Sequence, residues 1–299
     1  MIKVVITGSN GLLGQSLLDL LLKEKKEYDI FGFSRGENRS GRADFNYINI
    51  DISQEDNLKK ELRKIKPDFI INTAAMTQVD DCEVYKDDCD LINVEVVKWL
   101  KDIAEELNSH IIHISTDFIF DGLKGYYKES DEPNPLSYYG LSKLKSEKVL
   151  QESTINFTIL RTILVFGKVH NMSRGNIVLW VKSMLEQQKE ITIVNDQYRM
   201  PTYVKDLAMA CKIAIDKKAL GIYNISSNEL LSIFEIANQI AEVFNLDKTY
   251  IKPISSSILN QRAARPAKTG FDLTKTKNDL NFHPNSFKED LQRFKDCLN

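Results

Sequence analysis

Glycines at positions 8, 11 and 14 follow directly on the run Lys3-Val4-Val5-Ile6-Thr7, and the residues after them, 12–23, are apolar at helical spacing. A strand, a turn with glycines at three-residue intervals and a helix, fitted into so short a stretch, leave the backbone few options. Gly8 permits the tight turn, Gly11 lets backbone N–H groups approach a pyrophosphate, and Gly14 allows helix and strand to pack closely, with the anion at the helix N-terminus. Glycines also serve ordinary turns, and it is the strand before and the helix after that make this one a candidate dinucleotide site. Asn10, Leu12 and Leu13, which lie among the glycines, are candidate contacts to the same cofactor.

The alternation continues down the chain. A run at 29–33 completes a βαβ unit. Runs at 47–50, 69–72 and 110–115 alternate with helical stretches at 57–64 and 94–107, and after a helix at 139–151 the β-branched run 157–165 reads as another central strand. Strands alternating with helices predict an α/β fold, a Rossmann-type doubly wound parallel sheet covered on both faces. Beyond residue 168 the regularity breaks into a helix at 176–187, a short strand at 191–194 and helical pieces punctuated by Pro253, Pro266 and Pro284. We therefore expect a dinucleotide-binding domain at 1–167 and 203–226, and a smaller, discontinuous C-terminal substrate domain at 168–202 and 227–299.

Composition narrows the function. The 299 residues, 42% of them hydrophobic, exclude a miniprotein and a disordered chain. Forty Lys and Arg against 42 Asp and Glu leave a net charge of -2, with no surplus to bind a nucleic-acid backbone. No apolar run approaches a membrane span, and the N-terminal run is interrupted too soon, at Thr7-Gly8, for a secretory leader, so a cytoplasmic protein with no membrane or nucleic-acid partner is expected. Cys82, Cys89, Cys211 and Cys297 show no C-x-x-C spacing, which fits thiols in a reducing compartment better than a disulfide frame or a zinc site. No metal is expected.

Where an NAD site usually ends its second strand with Asp or Glu, this chain carries Ser34-Arg35. A guanidinium can pair with a 2′-phosphate, which favours NADPH; Glu37 close by keeps NADH open. Further on, Tyr139 and Lys143 are four apart and share one helical face. A cation beside a tyrosine stabilises its phenolate, and Thr116, at the carboxyl end of a parallel strand, could bond the same substrate oxygen. Tyr138 cannot replace Tyr139, because its i+4 partner is Ser142.

Several segments stand together: the Gly8, Gly11, Gly14 turn; Asp51-Ile52; Asn72-Thr73-Ala74-Ala75-Met76-Thr77 followed by Val79-Asp80 and Glu83; Asn93; Ser115-Thr116-Asp117 through Phe120-Asp121-Gly122; Tyr139 to Lys143; Leu160-Arg161-Thr162 with Gly167; and Asp196-Gln197 with Pro201-Thr202. In these the sequence resembles, over nearly its whole length, the extended short-chain dehydrogenase/reductase family, and within it the NADPH-using reductases of nucleotide sugars. The resemblance implies that Asp51 and Ile52 contact adenine, that Ala74 and Ala75 line the cofactor, and that Tyr139 and Lys143 serve both cofactor and catalysis with Thr116; Thr77, and Ser34 with Arg35 at the ribose end, are further candidate cofactor contacts. It implies reduction of the C4 carbonyl of a nucleotide-linked 4-keto-6-deoxy sugar, and it allows a homodimer.

Thr116, Asp117, Phe118, Arg161 and Arg199 are candidate substrate contacts, the arginines through a nucleotide diphosphate; each arginine, like Arg265, could equally be a structural ion pair. His110 and His113, three apart on a strand, point to opposite faces and read as structural. Two departures from the family stand out. Leu164 occupies a position where many such reductases carry an aromatic residue, and Gln15 and Ser16 fill the first helical turn, where magnesium-linked dimers carry a carboxylate. Phe118 replaces the Glu of a dehydratase, while epimerases share the same Tyr and Lys. One member of the family is a noncatalytic regulatory subunit of methionine adenosyltransferase.

Overall fold

The computed structural model describes residues 1–172 and 175–298. Its first half runs β1 (Ile2–Thr7), α1 (Leu12–Leu21), β2 (Tyr28–Ser34), β3 (Asn46–Asn49), α2 (Glu55–Ile65), β4 (Phe69–Asn72), α3 (Val79–Val84), α4 (Lys86–Asp90), α5 (Val96–Leu107), β5 (His110–Thr116), β6 (Gly125–Tyr127), α6 (Tyr138–Gln151) and β7 (Phe157–Thr162). The second half adds β8 (Val165–Phe166), α7 (Ile177–Glu186), β9 (Ile191–Val194), β10 (Tyr198–Arg199), β11 (Thr202–Tyr203), α8 (Val204–Lys217), β12 (Gly221–Ile225), β13 (Leu231–Ser232), α9 (Ile233–Phe244), β14 (Ile251–Ile254), β15 (Thr269–Phe271), α10 (Thr274–Leu280) and α11 (Phe287–Asp296).

Seven strands form one parallel sheet in the order β12-β7-β5-β4-β1-β2-β3. Side chains alternate across it as a strand requires. Val4 and Ile6 of β1 join α1 and α8 in one apolar cluster, whereas Val5 faces α2 and α5 in another. Helix α2 shows why such a segment sits on the sheet. Leu58, Leu62 and Ile65 are buried at spacings of four and three, while Glu55 and Asp56 begin the helix and Arg63 and Lys64 end it, complementing its dipole. Burying each Leu contributes about 1.5–3 kcal/mol.

The chain crosses from β3 to β4 on the far side of β1, so the strand order reverses between β1 and β4. Ligands of such sheets bind in the crevice that this reversal opens at the carboxyl ends of the strands. From the second half β12 joins the large sheet, with α8 and α10 against it; its other strands pair two by two, β14 with β9, β10 with β13, β11 with β8, and β15 with β6. The central strand expected at 157–165 ends at Thr162. Leu164 takes a positive φ of 41°, and Thr202 N–H bonds the Ile163 carbonyl at 3.0 Å, so a residue from the second half takes over the pairing. The β-branched run concealed this break. No helix among the described residues is long and apolar enough to cross a membrane.

Candidate active site

The glycine turn is tight for reasons its contacts show. Gly8 has φ +70°, and a Cβ there would lie 2.9 Å from Thr73 Oγ1 and 3.0 Å from the Ala74 nitrogen. A Cβ on Gly14 would meet the Gly8 carbonyl oxygen at 2.4 Å. Helix α1 starts after Gly11, which has no side chain to cap its first N–H groups. An uncapped helix start at the switch point of a parallel sheet fits a pyrophosphate. Leu13 packs into the core beneath it, and Leu12 is partly exposed.

Asn10 locks this turn to the end of β2. Its backbone N–H bonds Ser34 Oγ at 3.1 Å, its side-chain amide donates to the Glu37 carbonyl at 2.9 Å, and its Oδ1 accepts from the Arg39 N–H at 2.8 Å. The loop is held by its backbone, and Arg35 and Arg39 both project exposed guanidinium groups beside it. Arg39 escaped the sequence reading because only a folded loop, not spacing, brings it near. Asp51 closes the same edge. Burial works against its charge, but the Ser53 hydroxyl and N–H, with Arg35, hold it below the usual carboxylate range. Ile52 is buried next to it. If Arg35 faces a 2′-phosphate, Arg35→Ala should weaken NADPH by about 1.5–3 kcal/mol, roughly 10- to 100-fold, and NADH far less. Equal losses in fluorescence titrations with the two dinucleotides would reject the assignment.

On the other side of β1, the segment after β4 carries Ala74 and Ala75, both partly buried, and Thr77, exposed. Asn93 fixes this segment by accepting from Met76 N–H at 2.9 Å and donating to Met76 O at 3.0 Å, and it also reaches Ser142 Oγ on α6 at 3.0 Å.

Thr116 ends β5, its Oγ1 accepting the Phe118 N–H at 3.2 Å. Helix α6 begins with Ser137, whose side chain accepts from Gly140 N–H, and Gly140 brings the helix against the strand end: a Cβ there would lie 2.1 Å from the Phe118 carbonyl oxygen. This contact sets Tyr139 beside Phe118, ring centroids 5.8 Å apart, and beside the Thr116 hydroxyl. A Gly140→Ala variant should therefore lose about 1–3 kcal/mol to overpacking, measurable by thermal unfolding. Tyr138 turns away, its hydroxyl on Asp90 at 2.8 Å.

Burial raises the Tyr139 phenol above its ordinary range, opposed by the Thr116 hydroxyl. The sequence argument expected Lys143 to lower it. Instead Lys143, 2% exposed, directs Nζ at His113 Nε2, 3.0 Å away, and burial pushes its own pKa down to about 8 against the pull of Glu147.

For two candidate substrate contacts the structure favours the alternative of a structural role. Arg161 is buried, bonded through Nη2 to Glu147 at 2.7 Å and through Nη1 to the Glu129 carbonyl at 3.1 Å. Its guanidinium is filled by protein, so it is a structural ion pair rather than a substrate contact. Arg199 likewise bonds the carbonyls of Tyr198 and Pro266, each at 2.7 Å, lies 3.7 Å from Asp117 and covers the Phe118 ring. It supports the site from behind. Asp117 is also bonded by Thr269, and burial raises its pKa while Arg199 opposes. Arg265 pairs with Asp80 at 2.6 Å.

The RmlD substrate binding domain model matches residues 2–299. The dTDP-4-dehydrorhamnose reductase of Aggregatibacter actinomycetemcomitans is 31% identical, with 99% of this chain and 99% of that protein covered. Methionine adenosyltransferase 2 subunit beta of Bos taurus is 30% identical, covering 91% of this chain and 81% of that protein. The crystal structure of dTDP-4-dehydrorhamnose reductase from Bacillus anthracis in complex with NADP superimposes with a TM-score of 0.86 at 29% identity, covering 99% of each chain.

Proposed function

The chain belongs to the RmlD substrate-binding domain family, and from that premise we propose that it is an NADPH-dependent reductase of the C4 carbonyl of a nucleotide-linked 4-keto-6-deoxy sugar, dTDP-4-dehydrorhamnose first among them. The observation that carries this reading is the meeting of Thr116, Tyr139 and the Lys143 helix at the strand ends, on the same edge of the sheet as an uncapped glycine turn. Residues 1–167 and 203–226 hold the dinucleotide in this reading, and 168–202 with 227–299 hold the sugar nucleotide. The protein works in the cytoplasm, with a homodimer allowed and no nucleic acid or membrane as partner.

When bound, the dinucleotide supplies the hydride. The backbone of the glycine turn and the α1 N-terminus hold its pyrophosphate, and Arg35 with Ser34 selects the phosphorylated ribose. Thr116 Oγ1 holds the carbonyl oxygen in line with Tyr139. The Tyr139 hydroxyl gives its proton to that oxygen as negative charge develops on it, and the Lys143 ammonium, one helical turn along, stabilises the phenolate left behind. Because burial pushes Lys143 to about 8, kcat/KM should fall as pH rises through that value and the ammonium is lost. A rate profile flat to pH 10 would contradict this role.

The similarity to methionine adenosyltransferase 2 subunit beta supports a second reading, a regulatory subunit that binds another enzyme. The complete set of Thr116, Tyr139 and Lys143 favours catalysis. The test is stoichiometric oxidation of NADPH on addition of dTDP-4-dehydrorhamnose, followed at 340 nm.

A further inference from the structure

A chain of buried hydrogen bonds runs from the glycine turn to Lys143. Thr7, at the end of β1, accepts the Ala74 N–H and gives its Oγ1 proton to Asn72 Oδ1 at 2.6 Å. That fixes the Asn72 amide, so its Nδ2 donates to His113 Nδ1 at 3.1 Å. At the other side of the ring, Ser146 Oγ donates to the Lys143 carbonyl at 2.7 Å and is left as an acceptor for His113 Nε2, 3.0 Å away. With Nδ1 accepting, the ring proton sits on Nε2, a tautomer assigned from the partners on both sides. Lys143 Nζ lies 3.0 Å from this same Nε2. An N–H facing an ammonium is donor against donor, whereas a neutral amine can accept from it.

We propose that His113 is a positioning residue for Lys143: its Nε2–H docks the unprotonated amine and repels the ammonium, so the proton on Lys143 decides whether Nζ lies under the sheet or swings toward Tyr139. The catalytic consequence rests on the reductase reading; the contact itself does not. His113 is 1% exposed and has no solvent to soften the conflict. The remaining groups around Lys143 do not reproduce the effect. Glu147, a turn further along α6, and Cys89, on α4, both favour the ammonium, and Glu147 is already paired with Arg161 of β7. The depressed proton affinity of Lys143 is in the direction that burial and an opposing donor produce together.

The test reads the amine directly. Apo protein labelled at lysine 13Cε is titrated by NMR, with the Lys143 signal identified by its loss in Lys143→Met. His113→Phe, which keeps the ring and removes the donor, should raise the Lys143 midpoint by about one pH unit, a tenfold change in proton affinity, and His113→Gln, which restores an N–H, should return it toward the native value. Ser146→Ala removes the competing acceptor, leaves Nε2–H to the Nζ lone pair and should lower the midpoint. A fall in His113→Phe would mean that Nε2 accepts from the ammonium and would overturn the proposal. Where that variant does not fold, a midpoint in Ser146→Ala that stays or rises overturns it equally. No sugar or cofactor is needed, so the outcome is separate from whether the protein reduces dTDP-4-dehydrorhamnose.

Discussion

Tyr139→Phe should lower turnover by about 10²- to 10⁴-fold, the range expected for loss of a positioned acid, while NADPH binds with nearly native affinity. The two parts of this expectation come from different contacts. The phenol hydroxyl is beside Thr116 and above the ordinary tyrosine range because of burial, so at neutral pH it carries the proton that a developing alkoxide needs. The ring packs edge-on against Phe118, and Phe keeps that contact. The glycine turn that would hold the pyrophosphate lies between β1 and α1, whereas Tyr139 is on α6. Tyr138→Phe is the matched control. Its hydroxyl is held by Asp90, and removing it should leave turnover close to native. If both variants lose activity alike, the cause is helix α6 as a whole rather than the Tyr139 proton.

Arg161→Ala should destabilise the fold by about 3–5 kcal/mol, because removing one partner strands the other charge in the interior. Glu147 is fully buried and accepts from Arg161 and from the Ser115 hydroxyl; without the guanidinium no cation among the described residues is in contact with it. Arg161 also spans to the Glu129 carbonyl and lies over the Phe120 ring, so one side chain ties α6, the segment after β5 and the loop after β6 together. Chemical denaturation should show the loss as a lower midpoint. A substrate contact would behave otherwise: a stable protein with a raised KM for the sugar nucleotide. That pattern would restore Arg161 to the binding site.

The sheet was legible in the sequence wherever one period held. The strand at 69–72 and the strand at 191–194 were read with their observed limits, because short apolar runs bounded by polar residues leave little freedom. The helices Val79–Val84 and Lys86–Asp90 were not foreseen. They are short and acidic, and they owe their place to tertiary contacts such as Asn93 on Met76 and Tyr138 on Asp90. Tyr139 was separated from Tyr138 by helical spacing alone, which needs no long-range knowledge. Where Lys143 points was beyond that logic, since spacing gives the face of a helix but not the partner across it. The arginines show the same limit. A guanidinium suits a phosphate and a carboxylate equally, and only the buried Glu147 decides for Arg161.

The reductase reading meets its most direct test in single reactions with purified protein, NADPH and dTDP-4-dehydrorhamnose. One NADPH should be consumed for each sugar reduced, with loss of the rate in Tyr139→Phe and retention in Tyr138→Phe. Folded protein that binds NADPH yet oxidises none of it, and that instead forms a tight complex with a methionine adenosyltransferase, would contradict the account.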